Sequence, residues 1–223
     1  MFVDARIRRS LSLRPAGSNP KGHRNGPVGA QKKNDQKEIF GLLASLYRKQ
    51  KDYPKAIEAM ERVIGLDSRN DQAHFQLGAL YDETKNKEKS IANMKKAIEL
   101  NPKNAAALNY LGFTWAEMGV RLDEAESLIQ EALKIEPNDG FYIDSLGWVY
   151  YQKGDYNQAV ELLERAVEIT VDDPTIIEHL ADAYEKAGKA DRAVSRYREA
   201  LKNQGKTSRL NGSGQNPASG EKI

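Results

Sequence analysis

The chain has 223 residues, with 34 Lys+Arg against 32 Asp+Glu for a formal net charge of +2, and 39% hydrophobic residues. That length suits one or two domains, and the mean hydropathy of −0.70 suits much surface per residue or long polar tails. The absence of cysteine excludes a disulfide framework, a thiolate zinc site, a cysteine nucleophile and a lipidated N-terminal cysteine. No apolar run approaches the length of a membrane-spanning helix.

Residues 1–36 hold eight Lys/Arg against two Asp, a local +6. The stretch from Leu13 to Asp35 is rich in Gly and Pro and nearly bare of apolar residues, so burial cannot offset its ordering entropy. We therefore expect a disordered basic arm over 1–36. The opening MFVDARIRRSLSLRP has no apolar core of the secretory type. Its Arg- and Ser-rich character also allows an organelle presequence, but a solvated arm explains it more simply.

From Lys37 the chain repeats with a period of 34 residues: 37–70, 71–104, 105–139 (one residue longer), 140–173 and 174–202. Position 7 of each window is Leu43, Leu77, Leu111, Leu146 and Leu180, and position 8 is small: Ala44, Gly78, Gly112, Gly147 and Ala181. Position 11 is aromatic throughout (Tyr47, Tyr81, Trp115, Tyr150, Tyr184), and position 20 is small (Ala56, Ser90, Ala125, Ala159, Ala193). Each window carries two amphipathic helical patterns of about 13 residues, split by breakers such as Lys153-Gly-Asp and Ala187-Gly-Lys. Small residues at positions 8 and 20 let the two helices approach, while Leu and the aromatic fill the seam. One such hairpin cannot bury its own face, so neighbours must stack, giving an all-α right-handed solenoid of ten helices. The extra residue of the third window falls in Gly119–Leu122, where a helix–helix turn can absorb it. Residues 203–223, with a local +2, read as a second disordered tail, which leaves the repeat body at −6.

Catalytic chemistry finds little support. Of the three histidines, His23 lies in the arm, His74 falls at a packing position, and His179 lies on the first helix of the fifth window between its buried and exposed faces; for the last two a structural role is expected. No His/Cys cluster or Asp-rich loop suggests a metal, and no cofactor is expected. Ala200–Thr207 mimics a phosphate-binding loop, but it continues an amphipathic helix and no strand feeds it, so it is a chance match.

The repeating residues resemble the tetratricopeptide repeat (TPR) family over 166 of 223 positions, the fourth window most closely. The helix-ending proline of that pattern is present at Pro102 and Pro137 and replaced by Ser68, Val171 and Gly205 elsewhere. The resemblance implies a non-catalytic scaffold or adaptor of bacterial type, akin to adaptors that present substrates to processing or assembly machines. It also implies that the first helix of each window lines a concave, partner-binding face. Its facing positions include Phe75, Asp82, Glu83, Asn109, Phe113, Glu117, Phe141, Asp144, Trp148, Tyr151, Glu178 and Asp182, which we take as the candidate groove. The clamp that grips chaperone C-termini needs Lys and Asn where Gly41 and Ser45 stand, and basic residues where Ala106 and Tyr110 stand, so that partner class is not expected. Aromatics flanked by acid favour a protein or peptide with apolar anchors and basic flanks. Nucleic acid is not expected, because the repeat body is acidic. The alternative is a structural module whose copies stack through their terminal helices, and we expect a monomer or a weak homo-oligomer. Lacking an export signal, the chain reads as cytoplasmic, or as periplasmic or cell-envelope if it is a piece of a longer protein.

Overall fold

The computed structural model describes residues 28–212, with side chains from 32 to 205. Among them are ten α-helices and no strand: α1 (Val28–Lys49), α2 (Tyr53–Leu66), α3 (Asp71–Glu83), α4 (Lys87–Leu100), α5 (Ala105–Glu117), α6 (Leu122–Ile135), α7 (Gly140–Lys153), α8 (Tyr156–Ile169), α9 (Pro174–Lys186) and α10 (Ala190–Gly212). The fold is the all-α helix-hairpin repeat expected. It divides into two compact units, residues 1–115 and 116–223.

Polar caps start most helices. Asp52, Asn70, Asn86 and Asp155 each accept a hydrogen bond from the backbone N–H three residues on. Asp139 and Asp173 each accept two such bonds. Each cap satisfies N–H groups that the first helical turn leaves open, worth about 1 kcal/mol apiece. The turn inside every hairpin is closed by one left-handed residue at position 15: Lys51, Lys85, Gly119, Gly154 and Gly188. Glycine reaches that conformation freely, whereas the two lysines hold it under strain. In the third repeat the inserted residue adds a second left-handed position, Arg121 with φ 52°.

In the first unit, α1 packs on α2 and α3 on α4, and α2 also packs on α3. The core gathers Ala44, Ala56, Met60 and Val63 with Ala73, Leu77, Leu80 and Tyr81. In the second unit, α7–α8 and α9–α10 are hairpins, and α8 packs on α9. Ala159, Val160 and Leu163 there meet Leu180, Ala183, Tyr184 and Ala193. Ile143, Ala166 and Ile176 form a further cluster, against which Phe141 and Leu133 pack.

Both ends differ from the sequence expectation. Helix α1 begins at Val28, inside the segment assigned to the arm, because Ala30–Gln36 contains no breaker and Lys37 ties the helix to Asp67 at 2.9 Å. Helix α10 runs to Gly212, beyond the expected end at 202. Asn203 is buried there and donates to Asp172 at 3.2 Å, which carries the helix past Lys202. The rest of the arm and tail, residues 1–27 and 213–223, lies outside the described residues.

Candidate partner-binding face

In the second unit, α7 and α9 lie side by side. Trp148 and Tyr151 are one turn apart on α7, so their side chains share a face. Their rings stack at 4.5 Å with 6° between planes. Trp148 also stacks on His179 of α9, at 4.3 Å and 22°, and Tyr156 meets Tyr151 edge-on at 5.5 Å. Beneath the indole, His179 Nδ1 lies 2.7 Å from Asp144 Oδ1, and Asp144 is fully buried. This pair fixes the imidazole, and the imidazole fixes one side of Trp148. Trp148 and Tyr151 stay half-buried, so part of each ring reaches solvent.

Acidic groups of α9 border these rings. Tyr197 of α10 donates to both Asp182 (2.5 Å) and Glu185 (3.1 Å). The Tyr151 hydroxyl is held above its ordinary pKa first by burial, then by the charges of Asp182, Tyr156 and Glu185. Burial and the bonded Asp182 carboxylate raise Tyr197 further, well beyond the ordinary tyrosine range. Glu178 is half-buried on the same helix.

The corresponding residues of the first unit are arranged otherwise. Phe75 is only 2% exposed and meets Tyr110 edge-on at 6.1 Å. Asp82 is buried, accepts from Tyr110 at 2.7 Å and pairs with Lys87 at 2.8 Å. Glu83 pairs with Arg48 at 3.1 Å and accepts from Tyr53 at 3.3 Å. Asn109 is buried and its Oδ1 has no hydrogen-bond partner among the described residues. Phe113 is half-buried, and Glu117, just past the boundary between the units, is exposed.

Of the twelve residues picked from sequence, Phe75, Asp82, Asn109 and Asp144 are therefore covered and offer little surface to a partner. Phe141 is half-buried and packs towards Ile143 and Ile176. Trp148, Tyr151 and Asp182 are the ones brought together with exposure left over. Sequence reading passed over the participation of His179, Tyr156 and Tyr197. A histidine at position 6 of one repeat, set against a tryptophan at position 9 of the repeat before, was the signal for the first. His74 packs instead with its Nδ1 3.1 Å from Asn93 Oδ1. The phosphate-loop look-alike lies within α10, as its helical pattern predicted. No cluster of three or more metal-ligating side chains occurs among the described residues, and no helix there is long and apolar enough to cross a membrane.

Comparison with known proteins agrees with the repeat fold. Tetratricopeptide repeat signatures match residues 38–70, 71–104 and 175–208, and a TPR repeat signature matches 147–188, together more than half of the chain. The TPR repeat-containing protein PA4667 of Pseudomonas aeruginosa is 40% identical over 62 residues, 28% of this chain and 10% of that protein. Anaphase-promoting complex subunit 3 of Schizosaccharomyces pombe is 29% identical over 132 residues, 59% of this chain and 20% of its own length. The chain thus spans only a small part of these relatives. Among solved structures, MamA shares 24% identity with a TM-score of 0.61, over 79% of this chain and 96% of its own. PilF of Pseudomonas aeruginosa shares 20% identity with a TM-score of 0.67, over 77% of this chain and 78% of its own. At those identities the two structures show a common fold. The chain belongs to the tetratricopeptide repeat family.

Proposed function

We propose that this protein is a non-catalytic adaptor that holds a peptide or protein segment against α7 and α9. The family and fold support a protein-interaction scaffold in general. The observation that favours this face is the partly exposed Trp148–Tyr151 stack bordered by Asp182 and Glu185. Aromatic rings already held by their neighbours lose little rotamer freedom on binding, and such rings commonly dominate interface energy. The carboxylates beside them favour a ligand with an apolar anchor and basic flanks.

The test is peptide binding to wild type and to Trp148→Ala with Tyr151→Ala. An anchor-plus-arginine peptide should bind the wild type with a moderate salt dependence and lose at least tenfold in affinity to the variant. Equal binding by both proteins would remove the proposal. A second reading, the stacking of copies through terminal helices, is favoured by the aliphatic face that α1 leaves exposed.

A further inference from the structure

The first and last internal seams between successive repeats use the same positions. On the first helix of a repeat these are positions 3 and 10, and on the second helix of the repeat before they are positions 21 and 28. Ile57 and Ile64 of α2 pack into the cluster that holds Ala73 and Leu80 of α3. Val160 and Val167 of α8 pack into the cluster that holds Ala183 of α9. Position 10 is buried in every later repeat, at Leu80, Thr114, Val149 and Ala183. Position 3 is buried at Ala73, Ala107 and Ile176 and half-buried at Tyr142.

The first and last repeats each leave one side of this seam open. Positions 3 and 10 of α1 are Ile39 and Leu46, exposed by 54% and 53%, and Leu42 between them on the same face is exposed by 58%. They are not spare residues of the hairpin, because α1 packs on α2 through Phe40, Leu43, Ala44 and Tyr47. On α10, positions 21 and 28 are Val194 and Leu201, exposed by 47% and 67%. Here both outer faces keep the aliphatic side chains of an internal seam.

We infer that α10 of one copy covers α1 of a second copy, in the register of the internal seams. The interface continues one the chain already builds twice: Val194 and Leu201 take the places of Val160 and Val167, and Ile39 and Leu46 those of Ile176 and Ala183. Polar contacts change with it: the His179–Asp144 contact has no counterpart, because Leu42 stands at that position. In internal seams Tyr81 bonds to Glu61 and Tyr184 to Glu164, linking position 11 to position 25. Between copies, position 11 is Tyr47 and position 25 is Arg198, so a guanidinium meets the tyrosine face in place of a carboxylate meeting its hydroxyl. The contact is head-to-tail and uses two different surfaces, so it does not close at a dimer.

Sedimentation velocity of the full chain from micromolar to millimolar concentration tests this, with Leu42→Glu blocking one surface and Leu201→Glu the other. Both sites are exposed, and far-UV circular dichroism confirms that each variant folds. Wild type should grow past the dimer as concentration rises, and each variant alone should stay monomeric. An equimolar mixture of the two variants should form a dimer and stop there, because each carries one intact surface. A wild type that stops at a dimer untouched by Leu201→Glu would show α1 pairing with α1 and overturn the inference. A wild type monomeric throughout would overturn it as well, whether residues before Val28 or another protein cover α1.

Discussion

The two units both carry acidic groups on the first helices of their repeats, but they hold them differently. In the first unit Asp82 is paired with Lys87 and Glu83 with Arg48, so each carboxylate faces a cation within about one hydrogen-bond length. In the second unit Asp182 and Glu185 share the hydroxyl of Tyr197, a neutral donor. A neutral donor satisfies hydrogen bonds while leaving the negative charge in place. The aromatics follow the same division, with Phe75 sealed against Tyr110 and Trp148 held on His179 yet partly open. A residue type at a groove position is thus an incomplete guide to binding; what its neighbours do to its charge and exposure decides.

The largest effect that could break this comparison is on folding stability. Phe75→Ala removes a sealed ring and should cost about 3–5 kcal/mol in urea or thermal unfolding. Trp148→Ala should cost clearly less stability, yet lose about 2 kcal/mol or more of partner affinity. Equal stability losses would mean that both rings are core and that the division between the units is false.

Gly147 and Gly41 sharpen the same point. A Cβ at Gly147 would stand 2.7 Å from Leu163 Cγ, a branch point and not a free end. Gly147→Leu should therefore cost about 1–3 kcal/mol or more by overpacking. At Gly41 a Cβ meets nothing within 4 Å, and Gly41→Ala should raise stability by about 0.5–1 kcal/mol through helix propensity. Gly78, the first-unit counterpart of Gly147, would set a Cβ 2.9 Å from the flexible end of Met94 but also 3.1 Å from the Ser90 carbonyl oxygen, so Ala is crowded there too.

Alkaline titration separates the units by their tyrosines. Burial and neighbouring carboxylates hold Tyr142, Tyr150, Tyr151, Tyr184 and Tyr197 of the second unit above the ordinary value of 10.0, against Tyr81 in the first. A raised folded-state value means the folded chain keeps a proton that the unfolded chain releases. The linked stability is complete below the unfolded value and falls as pH climbs through the folded values. The second unit should therefore lose stability first above pH ~10. Hydrogen exchange, or tryptophan fluorescence from Trp148, would follow it. Tyr197→Phe should flatten the alkaline slope, and an unchanged slope would mean that its phenol does not report folding.

Much of the fold was legible because the repeat multiplies each weak signal by five. Leu43 alone says little, but Leu at position 7 in every window fixes the register. The caps were equally legible in principle, since Asp52, Asn70, Asn86, Asp155 and Asp173 are side chains whose usual place is before a helix. The ends were harder to read. A repeat template stops at its boundary, whereas α1 and α10 continue as long as no breaker intervenes and Lys37 or Asn203 finds a partner. The face was read only in part, because burial there depends on pairs from separate repeats. Asp144 looks like a groove acid until His179, 35 residues away, is seen to hold it.

The smallest expected effect concerns the hairpin turns, where the two units also part. Position 15 is left-handed in every repeat, but the second unit meets it with Gly154 and Gly188, and the first carries Lys51 and Lys85 at φ 60° and 64°. A left-handed residue with a Cβ costs about 1 kcal/mol relative to an unstrained one, and glycine avoids that contact. Glycine also gives the unfolded chain more freedom, which returns part of the gain. Lys51→Gly and Lys85→Gly should therefore each raise stability by a few tenths of a kcal/mol, and together by about twice that, since separate turns add. The reverse change, Gly154→Lys or Gly188→Lys, should lower stability by a similar amount. Urea midpoints measured for all four variants decide this. If both lysine-to-glycine changes destabilise, the long side chains of Lys51 and Lys85 contribute more than their backbone strain removes, and the turns of the first unit are held by contacts that glycine cannot make.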